Sequence, residues 1–222
     1  MTTIQSNLQA VHARIAAACR AAGRSPASVR LLAVSKTWPA ECVREACASG
    51  QTAFGENYVQ EALPKILALP GLPLEWHFIG PLQGNKTRVV AERFTWVHSL
   101  DRLKIAQRLA AQRPPGLPPL EVCIEVNVSG EASKSGCRPA ELPPLAHAVA
   151  ALPGLRLRGL MTIPAPGDDA AFARLRGLLE RLKAQDLPLD TLSMGMSDDL
   201  EAAIMEGATL VRVGTAVFGR RR

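Results

Sequence analysis

The chain has 222 residues, 47% of them hydrophobic but only 4% aromatic, and 26 Lys and Arg against 20 Asp and Glu give a formal charge of +6. That length suits one or two domains, with α/β barrels reaching ~250 residues as one unit, and so aromatic-poor an interior must be filled by Leu, Ala, Val and Ile, as where helices layer on a sheet. Excluded are a bilayer-spanning segment, for want of a long enough apolar run, and a disulfide scaffold or clustered zinc site, because Cys19, Cys42, Cys47, Cys123 and Cys137 are odd in number and form no Cys-x-x-Cys pair.

The start, MTTIQSNLQA, lacks the basic, apolar and small-residue zones of a secretory signal. Reduced thiols and a cytoplasmic location are therefore expected, with Cys47 and Cys123 in apolar surroundings as small hydrophobes. The basic residues are scattered apart from Arg220, Arg221 and Arg222, which reads as solvated surface rather than a nucleic-acid footprint.

Along the chain, a first helix is predicted over 3–22 from Ile4, Leu8, Val11, Ile15 and Ala18. Then an alternation sets in. LLAVS (31–35) precedes a helical stretch at 40–49, TAFG (52–55) one at 57–69, EWHFIG (75–80) one at 85–92, and WVHSL (96–100) one at 101–112. LEVCIEVNV (120–128) is followed by 139–151, LRLRGLM (155–161) by 169–185, DTLSM (190–194) by 197–206, and TLVRVG (209–214) closes the series. Eight strands separated by helices in about this length indicate a single (β/α)8 TIM barrel with an additional N-terminal helix, over 1–222 as one domain. A doubly wound open sheet is the alternative, weakened by the lack of G-x-G-x-x-G after the first strand.

Barrel sites of this kind lie at the C-terminal ends of the strands. The residues there are polar: Lys36, Glu56 and Asn57, Gly80 and Gln83, Ser99, Asn127 and Ser129, Thr162, Ser197, Gly214 and Thr215. Lys36 ends the apolar run from Leu31 to Val34, where partial desolvation lowers an amine's pKa and makes it nucleophilic. From position alone, a lysine snorkelling from a strand end explains it as well. Ser197, read as the start of a helix, and the turn at Gly214 and Thr215 together suggest a phosphate site between the last two strand loops. Asp198 and Asp199 suit that site only if their side chains turn away.

The stretches LLAVSKTWPAE, FGENYVQEA, WHFIGPLQGNKTR, VHSLDR, EVNVSGEASKSG, LRGLMTIPAP, LSMGMSDDLEAAI and TLVRVGTAVFGRR occur in this order. In them the chain resembles, essentially end to end, the pyridoxal phosphate homeostasis proteins, relatives of the alanine racemase N-terminal barrel. Gly84 is a mild exchange, since serine is also familiar there. The resemblance implies that Lys36 holds pyridoxal 5′-phosphate (PLP) as a Schiff base. It also implies that Ser197, Gly214 and Thr215 bind the phosphate, that Arg212 faces the pyridine nitrogen, and that Asn57, His77, Met161 and Met194 line the pocket. For His77 a structural role is equally open, and His98 reads as structural.

PLP chemistry rests on the pyridine ring as an electron sink. Arginine accepts no proton, so Arg212 beside the ring nitrogen leaves that atom unprotonated and weakens the sink. In the racemases the opposing acid/base comes from a C-terminal β-domain and a partner subunit, and this chain ends at Arg222 after its eighth strand unit. The expectation is a PLP carrier or buffer in cofactor homeostasis, not an enzyme. Its expected partners are PLP, apo-PLP enzymes and amino acids, without membrane or nucleic acid, and the chain is taken as a monomer. A PLP-dependent racemase or lyase using Tyr58 or His77 and a nucleic-acid-binding protein are the alternatives.

Overall fold

The computed structural model describes residues 3–131, 134–168 and 170–220. Helix α1 (Ile4–Ala21) begins at Thr3, whose hydroxyl accepts from the Ser6 amide, and it buries Leu8, Val11, Ile15, Ala18 and Cys19 at spacings of one to four. Each large side chain so buried contributes about 1.5–3 kcal/mol. The helix packs on the end of the chain, against α8 (Leu200–Met205) and α9 (Thr215–Phe218).

Eight parallel strands follow: β1 (Arg30–Val34), β2 (Ala53–Glu56), β3 (Glu75–Phe78), β4 (Trp96–Leu100), β5 (Leu120–Glu125), β6 (Leu155–Met161), β7 (Thr191–Ser193) and β8 (Leu210–Val213). Between them run α2 (Ala40–Ala48), α3 (Val59–Ala68), α4 (Thr87–Arg93), α5 (Leu103–Gln112), α6 (Leu142–Ala150) and α7 (Ala171–Lys183), with α8 between β7 and β8. Strand β1 pairs with β2 and also with β8, from Arg30 against Leu210 to Ala33 against Val213. That second pairing closes the barrel and removes the open-sheet alternative.

Strand side chains alternate between two faces. One set, including Phe54, Phe78, Val122, Ile124, Val211 and Val213, joins the helices in one large apolar layer. The other points to the barrel axis, where Leu32, Ala53 and Leu210 form one small cluster and Trp96, Cys123 and Met161 another. Gly159 on β6 lies so near β7 that a Cβ would stand 1.8 Å from the Thr191 carbonyl oxygen, so only glycine lets the two strands meet.

The ends of several elements differ from the sequence expectation. Strand β5 stops at Glu125, and the segment after it loops back so that the Cys137 amide bonds the Glu125 carbonyl. Helix α8 starts at Leu200, three residues after Ser197, and the Asp199 carboxylate accepts from the Met196 amide. Ser197 is therefore a loop residue and no helix cap. The residue after β8, Gly214, leads into the short helix α9, which the sequence pattern did not reveal. Cys123 is buried as expected, but Cys47 is only half-buried. Arg221, Arg222 and Asp169 lie outside the described residues, and with them most of the basic tail and the first residue of the helix expected at 169–185. No helix among the described residues is long and apolar enough to cross a membrane.

Candidate functional site

At the C-terminal ends of β1, β2, β7 and β8 the structure opens a cavity of about 230 Å³. It gathers Lys36, Asn57, Ser197, Arg212, Gly214 and Thr215, six of the nine residues expected in a site, with Trp38, Met196 and Asp198 also on its wall. Closure of the barrel is what brings Lys36, from one end of the sequence, beside Arg212 and Gly214 from the other.

The main chain on both sides of Lys36 is pinned by α3 and β2. Ser35 is fully buried; its hydroxyl donates to Glu56 Oε1 at 2.6 Å, and its carbonyl accepts from Lys65 Nζ at 2.7 Å. Lys65 also pairs with Glu56 Oε1 at 2.7 Å. Burial raises the Glu56 carboxyl above the ordinary carboxylate range, against the pull of the Lys65 charge. On the other side, Thr37 has φ 67°, a left-handed conformation that costs a β-branched residue energy. Its amide donates to Glu61 Oε2 at 2.9 Å.

Arg212 is 4% exposed, and it is held by its guanidinium: Nη1 donates to Ser193 Oγ and Nη2 to the Thr162 carbonyl, both at 2.9 Å. Burial draws its pKa down to about 10, so it is still a cation at neutral pH. Asn57 Oδ1 is buried without a hydrogen-bond partner among the described residues. Gly80 passes so close over Asn57 that a Cβ would stand 2.1 Å from the Asn57 carbonyl oxygen.

Three expected residues lie elsewhere. His77 is fully buried on the barrel axis, stacked on Trp96 at 5.3 Å and bonded to His98. Its other nitrogen lies near Glu75, at the N-terminal start of β3. Met161 packs with Trp96 and Cys123 inside the barrel, below the cavity wall. Met194 is buried in the layer between strands and helices, because Ser193 takes the axial face and the next side chain must take the other. His98 is fully buried, in keeping with a structural role. Tyr58 is 53% exposed and outside the cavity wall.

Other contributors were invisible in the sequence. Arg14 of α1 donates to the Ser197 carbonyl at 2.9 Å while holding Glu201 of α8, which fixes the Ser197 loop across 183 residues of chain. Glu125, at the end of β5, has its carboxyl pushed up to about 7 by burial, against the opposing charge of Arg212. Its alternation with outward Ile124 was the one available signal.

The family model described as alanine racemase, N-terminal domain, matches residues 6–222. A pyridoxal phosphate homeostasis protein of Pseudomonas aeruginosa is 67% identical over 100% of this chain and 97% of its own length. The chain belongs to the pyridoxal phosphate homeostasis protein family. A member from Escherichia coli K12 is 54% identical over 100% of this chain and 98% of its own length. Among solved structures, PipY of Synechococcus elongatus PCC7942 with PLP bound is 38% identical, matches with a TM-score of 0.85, and covers 98% of this chain and 100% of that one.

Proposed function

We propose that this chain binds PLP covalently through Lys36 and serves as a carrier or buffer of the cofactor in PLP homeostasis, without efficient turnover of its own. The observation that carries the reading is the meeting of Lys36, Arg212 and the Ser197 and Gly214–Thr215 loops in one cavity. The names of its relatives, and PLP in the PipY structure, point the same way.

The residues present fit the group. The cofactor, when bound, supplies an electron sink. Ser197 and Thr215 offer hydroxyls to a phosphate, and Gly214 lets it approach the main chain. Arg212, a cation, would donate to the ring nitrogen and can accept no proton from it. Asn57 Oδ1, buried and unpartnered among the described residues, awaits a donor from the ligand. His77, which was one of two acid/base candidates for a racemase or lyase, is sealed on the axis and does not reach the cavity. In this reading amino acids meet the cofactor without fast chemistry, and apo-PLP enzymes receive it.

The test is an absorbance spectrum of the purified protein with PLP, before and after borohydride, followed by peptide mapping. A pyridoxyl adduct on the peptide containing Lys36, lost in Lys36→Ala, is expected. An adduct confined to another lysine overturns the assignment. Fast α-proton exchange of amino acids in deuterated water, abolished by Lys36→Ala, would overturn the carrier reading in favour of an enzyme.

A further inference from the structure

Below the cavity, the barrel axis carries an unbroken run of polar side chains. Ser193 Oγ, which accepts from Arg212, lies 2.7 Å from His98 Nδ1. His98 Nε2 lies 2.9 Å from His77 Nδ1. His77 Nε2 lies 3.0 Å from Glu75 Oε1, off the line of an ideal hydrogen bond and with no other partner among the described residues. Glu75 in turn is gripped by both terminal nitrogens of Arg30, at 3.0 and 2.6 Å. Ser193, His98 and His77 are all fully buried, whereas Glu75 reaches the N-terminal face of the barrel. The run thus joins the cavity to the opposite end of the molecule.

We infer that this chain of side chains is a positioning device for Arg212, with Glu75 setting its hydrogen-bond direction from the far end of the barrel. The two rings are neutral, because burial drives the pKa of both down. A neutral imidazole donates from one nitrogen and accepts at the other. Glu75 is a carboxylate with its pKa held low against the cost of burial by the hydrogen bonds and charge of Arg30, so it accepts only. Facing it with a bare ring nitrogen would set two acceptors against each other. His77 therefore carries its proton on Nε2 and accepts at Nδ1. His98 must then donate from Nε2 and accept at Nδ1, and the Ser193 hydroxyl must donate to His98. Ser193 Oγ is left as an acceptor toward Arg212, and a hydroxyl that is already donating is the stronger acceptor. With the Thr162 carbonyl as its second fixed point, the guanidinium has one orientation.

In the opposite direction Ser193 would accept from His98 and Arg212 at once, and His77 would lose its contact with Glu75. The contact with the Glu75 carboxylate, though off the line of a full hydrogen bond, favours the first arrangement by roughly 10-fold. None of the three axial residues lines the cavity itself, and Ser193 reaches it only through Arg212, so they bear on how Arg212 is held and not on what the cavity binds. Its consequence for the cofactor rests on the reading above that Arg212 faces the PLP ring nitrogen.

The first measurement needs no cofactor. In ¹⁵N-labelled protein without PLP at pH 7, His77 and His98 are expected as neutral rings, both protonated on Nε2. Glu75→Gln, which can donate as well as accept, should cut the preference for that tautomer about 10-fold in both rings. Either ring found protonated on Nδ1, or a tautomer pattern unmoved by Glu75→Gln, overturns the inference. The second measurement uses PLP itself. Ser193→Ala should raise the Kd for PLP on the order of 5- to 10-fold and shift the absorbance maximum of the bound cofactor, and Glu75→Gln should shift it in the same direction by less. Arg212→Lys separates the two readings. If it leaves that spectrum unchanged, the placement of Arg212 at the ring fails, while the tautomers still judge the axial chain. If Arg212→Lys moves the spectrum and Ser193→Ala does not, the positioning role is refuted.

Discussion

Two basic residues line the cavity from neighbouring strands, and the contacts around them differ in kind. Beside Lys36 the supports act on its neighbours and come from ionisable side chains: Lys65 at the Ser35 carbonyl, Glu56 at the Ser35 hydroxyl, and Glu61 at the Thr37 amide. Beneath Arg212 they act on the guanidinium itself and are neutral: Ser193, the Thr162 carbonyl and, behind them, two uncharged histidines. The difference follows from what each group has to do. An arginine that works as a fixed donor must be fixed at its tip, and the peptides beside Lys36 set where its side chain starts. Location matters as well. The Lys36 supports lie between strand and helix, where α3 can deliver a full counter-charge. On the axis Arg212 is met by single neutral groups, and a further buried charge beside it would need a partner of its own.

The largest expected effect tests the charged support. Lys65→Met leaves Glu56 buried without its cation and should destabilise the fold by about 3–5 kcal/mol, measured by urea denaturation. Adding Glu56→Leu should recover much of that loss, because the stranded carboxyl is then gone. A cost for Lys65→Met under about 1 kcal/mol would mean that the pair does not brace Lys36.

A second test asks whether the axis does avoid charge. Glu125 faces it with a folded-state pKa of about 7, raised from 4.5 by burial. Between those values the folded state binds more protons than the unfolded one, so stability is fully present below about pH 4.5 and is lost as pH rises through about 7. The total is about 3–4 kcal/mol. Unfolding free energies of the wild type and Glu125→Gln, measured from pH 5 to 8, should differ by that slope, the variant keeping only the dependence due to the other groups, including the rise with pH from the buried neutral His77 and His98. Equal slopes would show that Glu125 is already ionised, and the axis would then hold a charge pair with Arg212.

The smallest effect concerns Thr37. Glycine adopts φ 67° without the steric penalty that threonine meets there, but it loses more freedom on folding. Thr37→Gly should therefore move stability by no more than about 1 kcal/mol either way, while loosening the peptide after Lys36. The sharper readout is the rate of PLP attachment, which should fall. An unchanged rate would place the whole support of Lys36 on the Ser35 side.

Much of the fold was legible because local chemistry repeats along the chain. Eight apolar runs, each followed by a stretch with helical spacing, specify strands and helices without reference to anything distant. Lys36 stands out because it ends one of those runs, and Ser197, Gly214 and Thr215 because they follow the last two. What the sequence could not disclose is which face and which depth each side chain takes. A shift of one residue sends a strand side chain to the other face, and so Met194 lies among the helices while its neighbour Ser193 holds Arg212. Depth along the axis placed His77 near Glu75 rather than in the cavity. The bonds from Lys65 to Ser35 and from Arg14 to Ser197 join residues 30 and 183 positions apart. The first needs only β1 beside β2 with α3 packed over them, whereas the second exists only once β1 meets β8 and the barrel closes, because closure is a property of all eight strands together and of no segment alone.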